Sequence, residues 1–329
     1  MVAAFSPARD WRLLAALVAV VALALVSITI GVYDLDISRV LAGSESLQES
    51  LVLVASRIPR TVAIILVGIS MSVAGLIMQL LAQNRFVSPS TAGTIEASSL
   101  GILTVTLLTP GMPLLGKMLV ASLFALAGTG VFLGLLRAVP LRTPLVVPLI
   151  GIMFGQVIAS VTTFFAYRYD LLQSLAAWTG GDFSRVLRGR YELLWLSGGL
   201  TVIAFIAADR FTVAGLGEAF TTNLGLNYQR VLFLGLSIVS VVTAVNVVTI
   251  GAIPFLGLIV PNVVRIIVGD NVRRTAPWCA LFGAGFLLLC DIAGRVIRYP
   301  YEIPIGTVVG VVGSVVFLAL LLRTTARVG

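Results

Sequence analysis

The chain has 329 residues but no histidine, one lysine (Lys117) and two cysteines, and only 11% of its residues are charged. Without histidine there is no imidazole for a metal site or for acid–base chemistry near neutral pH. Cys279 and Cys290 lie eleven residues apart in one apolar run. A helix would hold them ~16 Å apart, too far for a disulfide, so they read as core thiols. The remaining 21 basic residues are arginines, scattered singly or in pairs with no aromatic interleaving. That pattern excludes a nucleic-acid surface and leaves membrane orientation and partner contacts as readings of the +8 net charge. Long polar intervals are missing as well, since none much exceeds 25 residues. No separate soluble domain fits in this chain.

What fills the sequence is apolar: 59% hydrophobic residues and a mean hydropathy of +1.08. Soluble domains run at about 45–50% apolar and about 25% charged, so this composition marks an integral membrane protein. The first run, from Leu13 to about Gly31, follows Arg9 and Arg12 and has no small-x-small cleavage site after it. It reads as a retained spanning helix. Runs long enough to cross a bilayer fall near 13–33, 61–82, 92–109, 117–136, 145–166, 193–208, 229–249, 253–268, 277–297 and 304–322. The expectation is an all-α integral membrane fold of about ten transmembrane helices, one domain over 1–329. The third, sixth and eighth runs are short or interrupted, which requires shielding by neighbours or a cavity. With the N-terminus inside, twelve basic residues fall on the cytoplasmic side and ten outside, a weak bias of the right sign. GVFLG (130–134), GIMFG (151–155) and GTVVG (306–310) each place two glycines on one helix face, as close helix packing requires.

GMPLLGK (111–117) copies the start of a P-loop but is not one. Met118 stands where a hydroxyl should meet magnesium, Pro113 removes an N–H, and no βαβ context precedes it. Nucleotide chemistry, if used, belongs to another chain. A second polar stretch, GLGEAFTTNLGLN (215–227), interrupts the apolar pattern. Gly217 and Gly225 bracket a short helix-capable piece that opens on Glu218, a carboxylate at the positive helix end. Within 209–228 it faces the cytoplasm under the ten-span reading.

This stretch resembles the coupling helix of the FecCD family, the permeases of iron–siderophore and vitamin B12 ABC importers. The resemblance runs along most of the chain. SRIPRTVAIILVGISMSVAGLIMQ (56–79) is similar to the family's R-x-P-R span, and GAIPFLGLIVPNVVRIIVGDNVR (251–273) to its G-x-I-x-F-x-G-L-x-x-P-x-x-x-R signature. DIAGRVIRYPYEIPIGTVVGVVGSVVFLALLLR (291–323) resembles its D-x-x-x-R, E-x-P-x-G and final-span block. NRFVSPSTAGT (84–94) replaces the common N-P-L-A and resembles the branch for catecholate-type siderophores, while Asn262 stands where many members carry histidine.

The resemblance implies a BtuC-like type II ABC importer permease fold in the bacterial inner membrane, with both termini cytoplasmic. It implies no cofactor and no enzymatic activity in this chain. The expected partners are an ATP-binding cassette subunit, a substrate-binding protein and a second permease chain. That second chain is either an identical copy or a paralogue, which catecholate-type systems favour. Carried over position by position, Arg57, Arg60 and Arg295 would dock the binding protein. Gly217, Glu218, Ala219, Leu224 and Gly225 would couple to the ATPase. Met153, Gln156, Ser160 and Thr163 of the fifth span, with Thr307 and Ser314 of the tenth, would line the path of an iron(III)–siderophore complex. Asp291 and Arg295, four apart, also fit an intramembrane ion pair. The alternatives are an importer of vitamin B12 or haem from the same family, or a secondary transporter driven by an ion gradient. The latter needs intramembrane carboxylates, and acids here are confined to loops except Glu96 and Asp291.

Overall fold

The computed structural model describes residues 7–31, 47–138, 146–189 and 191–325. Arg39, Arg142, Arg190 and Arg327, counted above for orientation, lie outside these residues, as do the tail of the first run and the start of the fifth. All regular structure among the described residues is helical. The ten apolar runs correspond to α1 (Pro7–Thr29), α3 (Ile58–Leu81), α4 (Thr94–Leu108), α5 (Leu114–Ala138), α6 (Val146–Arg168), α8 with α9 (Leu194–Ile206 and Ala208–Ala214), α11 (Tyr228–Ile250), α12 (Leu256–Val268), α13 (Val272–Val296) and α14 (Ile305–Thr325). Shorter pieces are α2 (Leu47–Val52), leading through a π turn (Leu53–Arg57) into α3, then α7 (Leu172–Thr179) and α10 (Glu218–Asn223).

Six of these helices are long and apolar enough to cross a membrane by themselves. The interrupted runs are where the sequence places them. α8 and α9 bend by 65° at a one-residue break, and α4 and α12 are short apolar helices. At 1.5 Å per residue, α12 reaches only ~20 Å, less than a bilayer core. Their broken backbone is viable because the protein wraps it. α4 and α12 start on left-handed residues, Gly93 and Phe255, and their first turns are buried.

α3 is the hub. Its span is 83% buried, against 11% for α1 and 22% for α6. It packs on α13, α12, α8 and α11, and small residues let it. A methyl group added at Gly75 would overlap the Gly257 carbonyl of α12, and one at Gly68 would meet the Gly283 carbonyl of α13 at 2.6 Å. Close backbone approach of this kind is how membrane helices gain packing energy without a hydrophobic driving force. The glycine pairs singled out from spacing behave unequally. Gly151 and Gly155 press on Thr91, Gly93 and Glu96, and Gly306 presses on Gly180, but Gly130 and Gly134 face open space.

Candidate functional site

Residues far apart in the chain meet at the two ends of the bundle. At the end where α1 finishes, the last carbonyls of the helix have no intrahelical donor. Two arginines supply donors. Arg57, delivered by the π turn, donates from Nη1 to the carbonyls of Ile28 and Thr29, both at 2.9 Å. Arg295, in the last turn of α13, donates from Nη1 to the carbonyls of Ser27 and Ile30 at 2.9 and 2.7 Å, and from Nη2 to Ser27 Oγ at 2.6 Å. Gly31 leaves room for the Arg57 guanidinium, since a methyl there would lie 2.7 Å from Nη2. Both arginines are buried. The positive charges also face the negative end of the α1 dipole.

Asp291 completes this cluster from α13 and is fully buried. Its Oδ2 pairs with Arg295 and accepts from Ser27 Oγ at 3.3 Å. Its Oδ1 accepts from Arg60 Nη2 and Nε at 2.8 and 3.1 Å. Arg60 then reaches Glu302 Oε2 through Nη1 at 2.7 Å. The three arginines expected to dock a partner are thus engaged inside the protein. Arg57 and Arg295 are consumed by α1 and Asp291, while Arg60 lies nearer the surface. The part played by Arg57, Ser27 and Glu302 has no local signal, since each contact spans roughly 28 to 268 residues of sequence.

At the opposite end, the glutamine of the first motif and the arginine of the second meet. Arg265 Nη1 donates to Gln79 Oε1 at 3.1 Å, and Asp270 draws in Arg85 at 2.8 Å and Arg265 at 3.6 Å. Asn262 donates to the carbonyls of Arg85 and Leu258, each at 2.8 Å, which ties α12 to the turn after α3.

Beside this cluster lies α10. Gly217 at φ 104° and Gly225 at φ 78° adopt backbone that a side chain would strain. Gly225 closes a Schellman end, with Leu226 N–H bonded to the Thr221 carbonyl and Gly225 N–H to that of Thr222. Thr221 is the buried anchor, its Oγ1 donating to the carbonyls of Gly217 and Val213 at 2.7 and 3.2 Å. Glu218 and Ala219 are exposed, as are Leu216, Phe220 and Leu224. Phe220 and Leu224 fall four apart and share one face of the helix, while Leu216 precedes it across Gly217. A methyl on Gly217 would meet Gln83 Nε2 at 2.9 Å, and one on Gly215 would meet Leu80 at the same distance. The segment therefore rests on the end of the hub helix.

α6 has two faces. Gly151, Gly155, Thr162 and Ala166 are buried, while Met153, Gln156, Ser160 and Thr163 are exposed on the other side. Gln156, Ser160 and Thr163 line an open groove of about 460 Å³ with Ala159, Phe164, Tyr167 and Leu172. Phe164 and Tyr167 continue the same helical stripe, a spacing signal that was present in the sequence. Thr307 and Ser314 are exposed on α14, away from this groove. The hydroxyls of Ser160 and Ser314 bond back to their own helices, at Gln156 and Gly310. Such a wall offers little to hold a ligand. Residues 111–113 lead into α5, and residues 114–117 form its first turn, so GMPLLGK is no phosphate loop.

A bundle of spanning and broken helices with a small helix propped on its end defines a multi-pass integral membrane protein. The chain belongs to the FecCD transport family, which it matches over residues 17–323. It is 50% identical over 305 residues to the petrobactin import system permease protein YclN of Bacillus subtilis, covering 92% of this chain and 96% of that one. It is 42% identical over 271 residues to the ferric-anguibactin transport system permease protein FatD of Vibrio anguillarum, covering 82% and 86%. Among solved structures it is similar to a metal-chelate type ABC transporter in an inward-facing conformation, with TM-score 0.80 and 23% identity over 95% of this chain and 99% of that chain.

Proposed function

We propose that this chain is the permease subunit of an ATP-driven importer of iron(III)–siderophore complexes in the bacterial cytoplasmic membrane. The observation that carries the reading is α10. A six-residue helix held rigidly by Gly217, Gly225 and Thr221, with an apolar face turned outward, serves nothing inside the bundle. It suits insertion into a groove on an ATP-binding subunit, with motion passed to Leu80 and Gln83 of the hub. This makes the α10 end cytoplasmic, and with it both termini. The end built from Arg57, Arg60 and Arg295 then faces the substrate-binding protein, with Arg60 the residue within its reach. The exposed faces of α6 and α14 would form the path against a second permease chain. An iron ion wrapped in its chelator needs no metal ligands on the wall, and the named relatives support the siderophore class.

One observation favours an ion-gradient mechanism instead. Glu96 packs against Gly155 inside the bundle, and its Oε2 has no hydrogen-bond partner. Proteoliposomes containing the permease chains and ATPase, supplied with binding protein and ferric catecholate, separate the two. Uptake should require ATP and survive a protonophore. Uptake driven by a proton gradient without ATP would overturn the proposal.

A further inference from the structure

The guanidinium of Arg60 has two unequal edges. The inner edge, Nε and Nη2, is committed to Asp291 Oδ1, which lies in a fully buried carboxylate shared with Arg295. The outer edge, Nη1, is held by Glu302 alone at 2.7 Å. Glu302 sits in the segment before α14, and its side chain is 30% exposed against 12% for Arg60. Among the described residues it has no second hydrogen-bond donor. Its backbone neighbour is fixed independently, because Ile303 N–H bonds to the Gly294 carbonyl at 3.0 Å. The Glu302 carboxylate can therefore turn into solvent without moving α14.

We infer that Glu302 is an internal stand-in for a partner carboxylate, occupying the outer edge of Arg60 until an acidic side chain of the docking protein displaces it. This rests on the proposed reading of that end as the docking face. The chemistry is an exchange of like for like. One carboxylate leaves Nη1 for water, another arrives, and the buried Asp291–Arg295 pair keeps its partners. In the undocked protein, Glu302 keeps the outer edge of a partly desolvated guanidinium paired, because a desolvated charge that lacks its partner is costly. The partner that fits is a protein surface presenting a glutamate or aspartate on a protruding lobe, since Nη1 is recessed and a flat acidic surface would not reach it.

The test is a docking titration. The complete transporter, permease chains with ATPase, is placed in nanodiscs, and the substrate-free binding protein of the same system is the probe. A partly exposed ion pair is worth up to ~1 kcal/mol, so removing the competitor in Glu302→Gln should tighten docking about two- to fivefold. Glu302→Asp, too short to reach Nη1, should tighten it similarly and guards against a variant that assembles poorly. Arg60→Gln should weaken docking about tenfold or more, and adding Glu302→Gln to it should change nothing further. Docking unchanged or weakened in both Glu302 variants, with Arg60→Gln still damaging, would overturn the stand-in and leave the docking face in place. No loss in Arg60→Gln would remove both. An effect seen with the ferric chelate alone would place the competing carboxylate on the substrate and overturn the assignment to a protein partner.

Discussion

Replacing Asp291 with asparagine keeps size and polarity but removes the charge on which two guanidinium groups converge. In the folded protein Asp291 is fully buried and receives Arg60 at one oxygen and Arg295 with Ser27 at the other. Breaking a buried pair by removing one partner typically costs ~3–5 kcal/mol, because the remaining charge stays in a poor dielectric. Here the residual partners soften the loss. Arg60 retains Glu302, and Arg295 retains the Ser27 and Ile30 carbonyls. The lower end of that range is expected, about 3 kcal/mol, or roughly two orders of magnitude in the folded-to-unfolded ratio. The double variant Asp291→Ala with Arg295→Ala removes a charge of each sign and leaves Arg60 paired to Glu302. It loses the Arg295 bonds to the α1 carbonyls and the inner-edge bonds of Arg60, but it leaves no buried charge without a counter-charge, so it should cost less than the single variant. Membrane yield and thermal melting of the detergent-purified protein read both. The order wild type, double variant, single variant is expected. If single and double variants melt together, Asp291 and Arg295 are not energetically coupled as a pair.

Helix contacts give a second prediction. Gly75→Ala drives a methyl into the Gly257 carbonyl and should cost ~1–3 kcal/mol. Gly130→Ala meets nothing within 4 Å and should be neutral or stabilising by up to ~1 kcal/mol, by melting in the same detergent. For the path, Ser160→Trp should cut chelate uptake while leaving ATP hydrolysis and ATPase association intact. Full uptake in that variant would remove the exposed face of α6 from the pathway.

Much of this was legible in the sequence, and the rest was hidden for identifiable reasons. Apolar runs mark the spans because a bilayer fixes their length, and the weakest runs became the bent α8–α9 pair and the short α4 and α12. Gly217 and Gly225 could be read as the ends of a helix because left-handed backbone favours glycine. The four-residue step from Asp291 to Arg295 is a local helical relation and was equally readable. What spacing does not carry is which elements become neighbours. The capping of α1 by Arg57 and Arg295, the reach of Arg60 to Glu302, and the meeting of Gln79 with Arg265 depend on helices packing across the whole chain. The contacts of Gly68 with Gly283 and of Gly75 with Gly257 are likewise between helices, so the four-residue glycine rule missed them; it found Gly151, pressed against the Thr91 carbonyl, but also selected Gly130 and Gly134, which face open space.

In the proposed importer, α10 is the element that receives work from an ATPase. Ala219→Arg places a long cation on its exposed surface, and Gly225→Val forces a β-branched residue into φ 78° at the Schellman end. Neither touches the arginine cluster at the other end of the bundle. The decisive measurement is co-purification of the ATPase with each variant, together with the response of ATP hydrolysis to loaded binding protein. Detachment of the ATPase and loss of that response, with binding-protein capture retained, is the predicted result. If the ATPase still co-purifies and hydrolysis still responds, residues 215–227 are a connector between spans and the coupling reading is wrong.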